Sequence, residues 1–267
     1  MTLSLDELLA EPTSGRSRAV LLDSHDYAQS VFLQGKPVPW QEPMAYANFF
    51  GQVQGVLKSD FALLSLDRFY AQCLNNDARL QAAMGAKSRT GFALRTLLND
   101  AETTAFVIEL ATTFSQTQRV PVVLQIPSPM QWLARTHAFS GSADVSGLDA
   151  DSAENASMYV ADWLRGFAAL PLVAVLLDDR GPIVSAGSVP LSTYSPIANV
   201  TDHYRWALGQ RTGDGVELHG SARTGAVIKP QFWSADTAVL PDGDFLLGEV
   251  PREAVPERVL SRITALV

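Results

Sequence analysis

The sequence predicts one α/β domain over residues 1–267, a (β/α)8 TIM-barrel-like fold that is shortened or incomplete, with an open doubly wound sheet as the alternative. Three observations predict it. Short apolar runs alternate with segments of helical periodicity along most of the chain. The runs lack polar alternation, which indicates strands buried on both faces. A length of 267 residues suits a barrel as a single unit.

The first half of the chain alternates strands and helices in order. Strands are predicted at 19–22, 61–64 and 120–127, and helices at 45–57, 97–116 and 130–139. Each strand is a short run of apolar residues that stops at polar residues or proline. The segment 32–43 carries Pro37, Pro39 and Pro43 and is predicted to be a loop, because proline continues neither a helix nor a ladder.

The second half begins with a helix predicted at 153–170, where apolar residues recur at helical spacing. The strand 172–177 follows directly. Beyond Gly181 the pattern is weaker. It favours strands at 183–189, 215–220, 225–230 and 245–251, and helices at 197–208 and 256–266.

Composition excludes several classes of protein. Twenty Lys and Arg face 28 Asp and Glu, a net charge of −8, which argues against a nucleic-acid partner. The one cysteine, Cys73, excludes an internal disulfide and any multi-thiolate metal site. No stretch reaches the roughly 18 apolar residues of a membrane helix, and the N-terminus lacks the pattern of a signal peptide. A cytoplasmic, non-membrane protein is expected, with a homo-oligomer or a partner subunit left open.

The standard short motifs are absent. The sequence has no GxxxxGK[ST], no GxGxxG between a strand and a helix, no GxSxG and no HExxH. This excludes the commonest nucleotide-binding enzymes, serine hydrolases and zincins, but it does not exclude catalysis.

Candidate site residues follow from the rule that barrel active sites form at the carboxyl ends of strands. His25, Asp178 and Arg180 are the catalytic candidates. His25 could be a general acid or base, Asp178 could orient a base or bind metal, and Arg180 could grip a carboxylate. Each has a plain alternative: a hydrogen-bonded loop histidine, a strand-ending aspartate that caps the next turn, and a surface ion pair.

Further candidates concern the substrate and a metal. Asp23, Arg68, Gln125 and Trp233 are predicted to bind substrate, although core packing explains Trp233 equally well. His219, Asp178 and Glu249 could together hold a divalent metal. The substrate is expected to be a small molecule.

Three segments carry a resemblance to a known family. Residues 120–134 and 151–180 resemble strands and helices of the uroporphyrinogen decarboxylase and cobalamin-independent methionine synthase superfamily, and 245–259 resembles its last strand and helix. These stretches cover about half of the chain. The resemblance implies a (β/α)8 barrel and either decarboxylation or one-carbon transfer.

The departures from that family limit the resemblance. Its methyltransferase branch holds zinc with histidine and cysteine thiolates, but Ser221 stands two residues after His219, and Cys73 lies in a predicted helix. A thiolate zinc site is therefore not expected. Arg16 and Arg18 do not reproduce the arginine-rich segment of the decarboxylase branch, so porphyrin decarboxylation is not supported.

The expected function is an enzyme that acts on a small organic acid or aromatic compound by carbon–carbon lysis (decarboxylation) or by one-carbon transfer. The alternative is a non-catalytic or accessory subunit of a hetero-oligomeric complex. A methyltransferase that uses His219, Asp178 and Glu249 to bind metal is a third hypothesis.

Overall fold

The computed structural model describes residues 3–141, 143–181, 189–235, 237 and 239–266. Its centre is one eight-stranded sheet. The strands are β1 (Ala19–Asp23), β2 (Ala62–Ser65), β3 (Val122–Pro127), β4 (Leu172–Asp178), β5 (Ala207–Arg211), β6 (Gly215–Leu218), β7 (Thr224–Ile228) and β8 (Phe245–Glu249). They lie in the order β1-β8-β7-β6-β5-β4-β3-β2.

Eleven α-helices of the described residues surround the sheet. They are α1 (Leu5–Ala10), α2 (His25–Val31), α3 (Pro43–Leu57), α4 (Asp67–Asn76), α5 (Ala78–Met84), α6 (Phe92–Leu98), α7 (Ala101–Thr117), α8 (Pro129–His137), α9 (Ala150–Leu164), α10 (Ser195–Tyr204) and α11 (Pro256–Thr264). None of them combines the length and the apolar character that a transmembrane span requires.

The sheet is nearly closed into a barrel. A single parallel bridge, Leu21 to Phe61, joins β1 to β2 at the seam. Every other neighbouring pair forms a ladder, and the ladder of β3 with β4 shifts its register between Val122 and Val123. Five of those ladders are parallel. The two ladders that β6 makes with β5 and β7 are antiparallel. The barrel-like α/β fold is therefore confirmed, but the strict (β/α)8 arrangement is not, because β6 runs backwards and turns replace helices at 212–214 and 219–223.

Alternate side chains of the strands divide the core into two layers. One set, including Leu21, Val123 and Leu247, points into the barrel, and a second, larger set packs between the sheet and the helices. The short helix α1 seals the end at which the parallel strands begin, because its buried Leu5 and Leu9 join the interior cluster. The opposite end, where these strands finish, is the mouth of the barrel.

Most predicted elements are present with small shifts in their ends. The predicted helix 97–116 is two helices, α6 and α7, and the side chain of Asp100 caps the second by accepting from the Thr103 amide at 3.0 Å. The prediction of a helix over 197–208 is wrong at its end, since α10 stops at Tyr204 and β5 begins at Ala207. The strand predicted at 183–189 lies outside the described residues, except for Val189.

Candidate functional site

A ring of polar side chains closes the mouth of the barrel. Each member of the ring lies two positions after a residue that faces the apolar interior, and the period of two in a strand turns the member inward as well. The ring, called the mouth layer here, consists of Asp23, Ser65, Gln125, Asp178, Arg211 and Glu249. Below it the described barrel interior is apolar.

Arg211 lies at the centre of the mouth layer. Its side chain is fully buried, and it reaches from β5 to three other strands. Nη1 donates to Asp23 Oδ2 at 3.2 Å and to Gln125 Oε1 at 3.1 Å. Nη2 donates to Glu249 Oε2 at 2.9 Å. A buried guanidinium is tolerated only with such partners, because the desolvation of a charge costs several kcal/mol.

Arg180 covers the other side of the layer. Its Nε and Nη2 donate to the two oxygens of Asp178 at 2.9 and 2.8 Å, a bidentate pair. Its Nη1 contacts the same oxygen of Glu249 that Arg211 binds. The Arg180 side chain remains 33% exposed, so this guanidinium can be reached from solvent.

Arg68, on α4, lies at the side of the mouth layer next to the seam between β1 and β2. It donates to both oxygens of Asp26 at 2.9 and 3.0 Å, and its Nη1 lies 3.7 Å from Asp23 Oδ1. Burial alone would raise the pKa of Asp23, but the charges of Arg68 and Arg211 outweigh burial and hold that pKa below its ordinary value. The His25 ring and Arg68 hold the pKa of Asp26 far below its usual range. Both aspartates are therefore ionised at neutral pH.

His25 begins α2, two residues after Asp23. Its ring stacks on Trp40 with centroids 5.2 Å apart and lies at the same distance from Phe50. Burial lowers the pKa of His25, so the imidazole is neutral at pH 7. Nδ1 lies 3.7 Å from Asp26 Oδ1, too far for a hydrogen bond. Neither ring nitrogen has a hydrogen-bond partner among the described residues.

Gln125, on β3, contacts three other residues of the mouth layer. Its Nε2 lies 3.3 Å from Ser65 Oγ and 3.4 Å from Asp178 Oδ2, while its Oε1 accepts from Arg211. Asp179 points elsewhere and accepts from Ser128 Oγ at 2.5 Å, as the alternation of side chains along a strand requires. The structure thus brings Asp23, Gln125, Asp178, Arg180 and Glu249 into one hydrogen-bonded network with Arg211. Arg68 joins this network through its ion pair with Asp23.

Two predicted site residues lie elsewhere. His219 is exposed, and its amide donates to Leu208 O at 2.8 Å, near the start of β5. Asp178 pairs with Arg211 at the other end of the same strand. The prediction that His219, Asp178 and Glu249 share a metal is therefore wrong, because β6 runs antiparallel and carries His219 away from the mouth. No group of three or more His, Cys, Asp or Glu in the described residues could hold a metal ion.

Trp233, which is predicted to bind substrate, also lies away from the mouth. It is 1% exposed and belongs to the layer outside the barrel, where a Cβ on Gly248 would lie 3.1 Å from its ring. The packing alternative is therefore the correct interpretation of Trp233. Lys229, at the end of β7, pairs with the exposed Asp214.

Sequence reasoning missed Arg211, the most connected residue of the layer. The helix predicted over 197–208 covers the first two residues of β5, so the pattern does not mark Arg211 as the end of a strand. One signal was present: Thr212 and Gly213 form a turn signature, and Val216 and Leu218 alternate after it, which together indicate a hairpin.

The chain matches no family model, no curated protein and no solved structure. The resemblance to the decarboxylase and methionine synthase superfamily therefore stays a prediction. Function is inferred below from the side chains of the mouth.

Proposed function

We propose that the protein is an enzyme that binds a small organic acid at the mouth of its barrel and breaks a carbon–carbon bond in it, as in a decarboxylation. One observation carries this proposal. The mouth layer concentrates buried charges, with Asp23 at 2%, Asp178 at 5% and Arg211 at 0% exposure. Apolar residues would hold the same strands at a lower desolvation cost, and such costly polar groups are concentrated at functional sites.

The site carries a net charge of −1, so an anionic ligand binds by exchanging ion pairs with individual arginines rather than by a general attraction. Three guanidinium groups, of Arg68, Arg180 and Arg211, face four carboxylates. Arg180 and Arg68 are the two that solvent reaches, at 33% and 24% exposure. A substrate carboxylate can take up their remaining N–H donors, because a guanidinium carries five. We assign Arg180 as the principal anchor, with Asp178 holding it in position.

The reaction requires that a C–C bond break, that its electron pair stay on the substrate carbon, and that this carbon then receive a proton. Fixed positive charge near the reacting centre stabilises the developing carbanion. Asp23 and Asp26 are held ionised and cannot supply the proton. We assign this step to His25, which is neutral and has both nitrogens unpaired within the described residues. One ring nitrogen gives its N–H proton to the carbon while the other takes a proton from water, so the ring stays neutral.

One-carbon transfer receives less support. The third hypothesis, a methyltransferase that binds metal with His219, Asp178 and Glu249, loses its site, since His219 lies near the start of β5. The anion-binding arginines favour a reaction on a carboxylate instead.

The test uses carboxyl-labelled acids. The purified protein is incubated with ¹³C-carboxyl malonate, oxaloacetate, citrate and 4-hydroxybenzoate, and labelled CO2 is followed by NMR while binding is followed by calorimetry. We expect at least one acid to bind and to release CO2, and Arg180→Gln to abolish both. Arg165→Gln, at an exposed ion pair with Asp162, is the matched control.

Two outcomes oppose the proposal in different ways. Binding that is equal in the Arg180→Gln and Arg165→Gln variants would show that the acid site is not the mouth. Copurification of a stoichiometric partner chain, with no acid bound or turned over, would favour the accessory-subunit alternative.

A further inference from the structure

A cleft lies beside the mouth layer, between α2 and α4. Its volume is about 490 Å³, within the range of small-molecule sites. Its polar wall includes His25, Asp26, Gln29, Arg68, Gln72 and Asn75. Trp40, with neighbouring apolar residues of the loop before α3, forms the other wall.

The charges of this cleft cancel. Arg68 and Asp26 bind each other bidentately at 2.9 and 3.0 Å inside it, so the pair presents little net charge to a ligand in the cleft. The remaining polar groups are amides, which both donate and accept hydrogen bonds, and the neutral His25 ring. Such a wall matches an uncharged ligand whose groups also donate and accept, and a hydroxyl does both.

His25 supplies independent evidence that a ligand belongs here. Its side chain is only 6% exposed, it lines the cleft, and both of its nitrogens lack a partner within the described residues. A buried polar group that makes no hydrogen bond costs about 1–3 kcal/mol. Both nitrogens are themselves buried, so a rotation of the ring toward the cleft that it lines would bring one of them to a ligand hydroxyl.

We infer that this cleft is a subsite for the hydroxylated arm of the substrate, whose acid group lies at the mouth. Arg68 joins the two places, because it binds Asp26 in the cleft and lies 3.7 Å from Asp23 in the mouth layer. The substrate class is then a polyhydroxylated acid. This inference rests on the proposed function, which places the acid group of the substrate at the mouth. The hydroxyl groups of the substrate bind in the cleft.

The experiment compares two acids with six carbons and one carboxylate each, gluconate and hexanoate, by calorimetry. Methyl α-D-glucoside, which has hydroxyls but no charge, is the third probe. We expect gluconate to bind about tenfold more tightly than hexanoate, as two additional hydrogen bonds would give. The double variant Gln72→Met with Asn75→Leu should bring the two affinities within about twofold and leave hexanoate binding unchanged.

Controls separate the two proposals. Asn155→Leu, at an exposed position on α9, should preserve the preference. Arg180→Gln should weaken both acids alike. If hexanoate binds as tightly as gluconate, or if the double variant keeps the preference, the subsite is refuted while the acid site stands. If only the glucoside binds, and the double variant abolishes that binding, the acid site fails and the cleft stands. If none of the three binds, both fail.

Discussion

Arg211 Nη1 donates a hydrogen bond to Asp23 Oδ2 at 3.2 Å across the mouth of the barrel, although 188 positions separate the two residues in the chain. Both side chains are at least 98% buried. The first strand and the fifth are not neighbours in the sheet, so this ion pair joins opposite parts of the wall through the interior.

Removing the guanidinium of this pair should destabilise the fold strongly. Arg211→Met leaves Asp23 buried with no hydrogen-bonded cation, since Arg68 and Arg180 act on it from further away, and the loss of one partner of a buried pair costs ~3–5 kcal/mol. Urea denaturation gives the free energy of unfolding, and Arg165→Met at the exposed ion pair serves as control. A loss below about 1 kcal/mol would contradict the central role of Arg211. The double variant with Asp23→Asn should recover part of the stability.

His25 should make the free energy of unfolding depend on pH in the mildly acidic range. Burial lowers the pKa of His25 in the folded chain below the value of 6.5 of a free side chain. The unfolded chain therefore binds more protons as the pH falls below about 6.5, so stability decreases there by up to ~1.4 kcal/mol per pH unit.

The measurement is urea denaturation between pH 7.5 and 5, which stays above the range of the aspartates. Asp23 and Asp26 have lowered pKa values, so their stabilisation is complete above about pH 4 and is lost only at lower pH. His25→Asn should flatten the slope. His203→Asn, at an exposed histidine, should keep it, and an unchanged slope in His25→Asn would refute the assignment.

Gly225 should not accept a side chain. A Cβ at this position would lie 2.4 Å from the ring of Phe245, the residue opposite it on β8. That ring is 5% exposed and packs in the barrel interior, so it has little room to move. Gly225→Ala should cost ~1–3 kcal/mol through overpacking. Gly213→Ala, where nothing lies within 4 Å, should change stability by less than about 0.5 kcal/mol in thermal denaturation.

Asp60 should be required for the attachment of β1 to the N-terminal loop. Its side chain is 2% exposed and accepts from the amides of Val20 at 2.9 Å and Ser14 at 3.0 Å, and from Arg16 at 3.3 Å. Asp60→Ala leaves the buried Val20 amide without that partner, a cost of ~1–3 kcal/mol. Chemical denaturation checks this, with Asp162→Ala at an exposed position as control. Equal stability of the two variants would contradict it.

The fold could be predicted from the sequence where a local run of apolar residues indicates a buried strand. The runs that became β1 and β4 are apolar until their last residues, Asp23 and Asp178, and the run that became β3 is apolar except for Gln125, so these three polar residues could be found. The strand β5 could not be found in this way, because Ala207–Arg211 has one large apolar residue. Its place in the sheet depends on pairing with β4 and β6.

The local sequence pattern also does not show in which direction a strand runs. His219 follows a run that resembles the others, and only the antiparallel pairing of β6 shows that it lies at the far end of the barrel. Contacts between residues distant in the chain, such as Arg211 with Asp23, are set by closure of the whole sheet rather than by neighbours in sequence.

The single bridge between Leu21 and Phe61 has a mechanical consequence. Above it, the facing edges of β1 and β2 are held by the packing of α3, whose Phe50, Val53 and Leu57 line the gap, rather than by a ladder. The wall is thus a cylinder slit along one side. Amide protons along this slit should exchange faster than those of β3 and β4. Asp23 lies at the β1 edge of this slit and Ser65 at its β2 edge. If the slit widens, these two side chains move apart, while the ladders keep the other residues of the mouth layer at a fixed spacing.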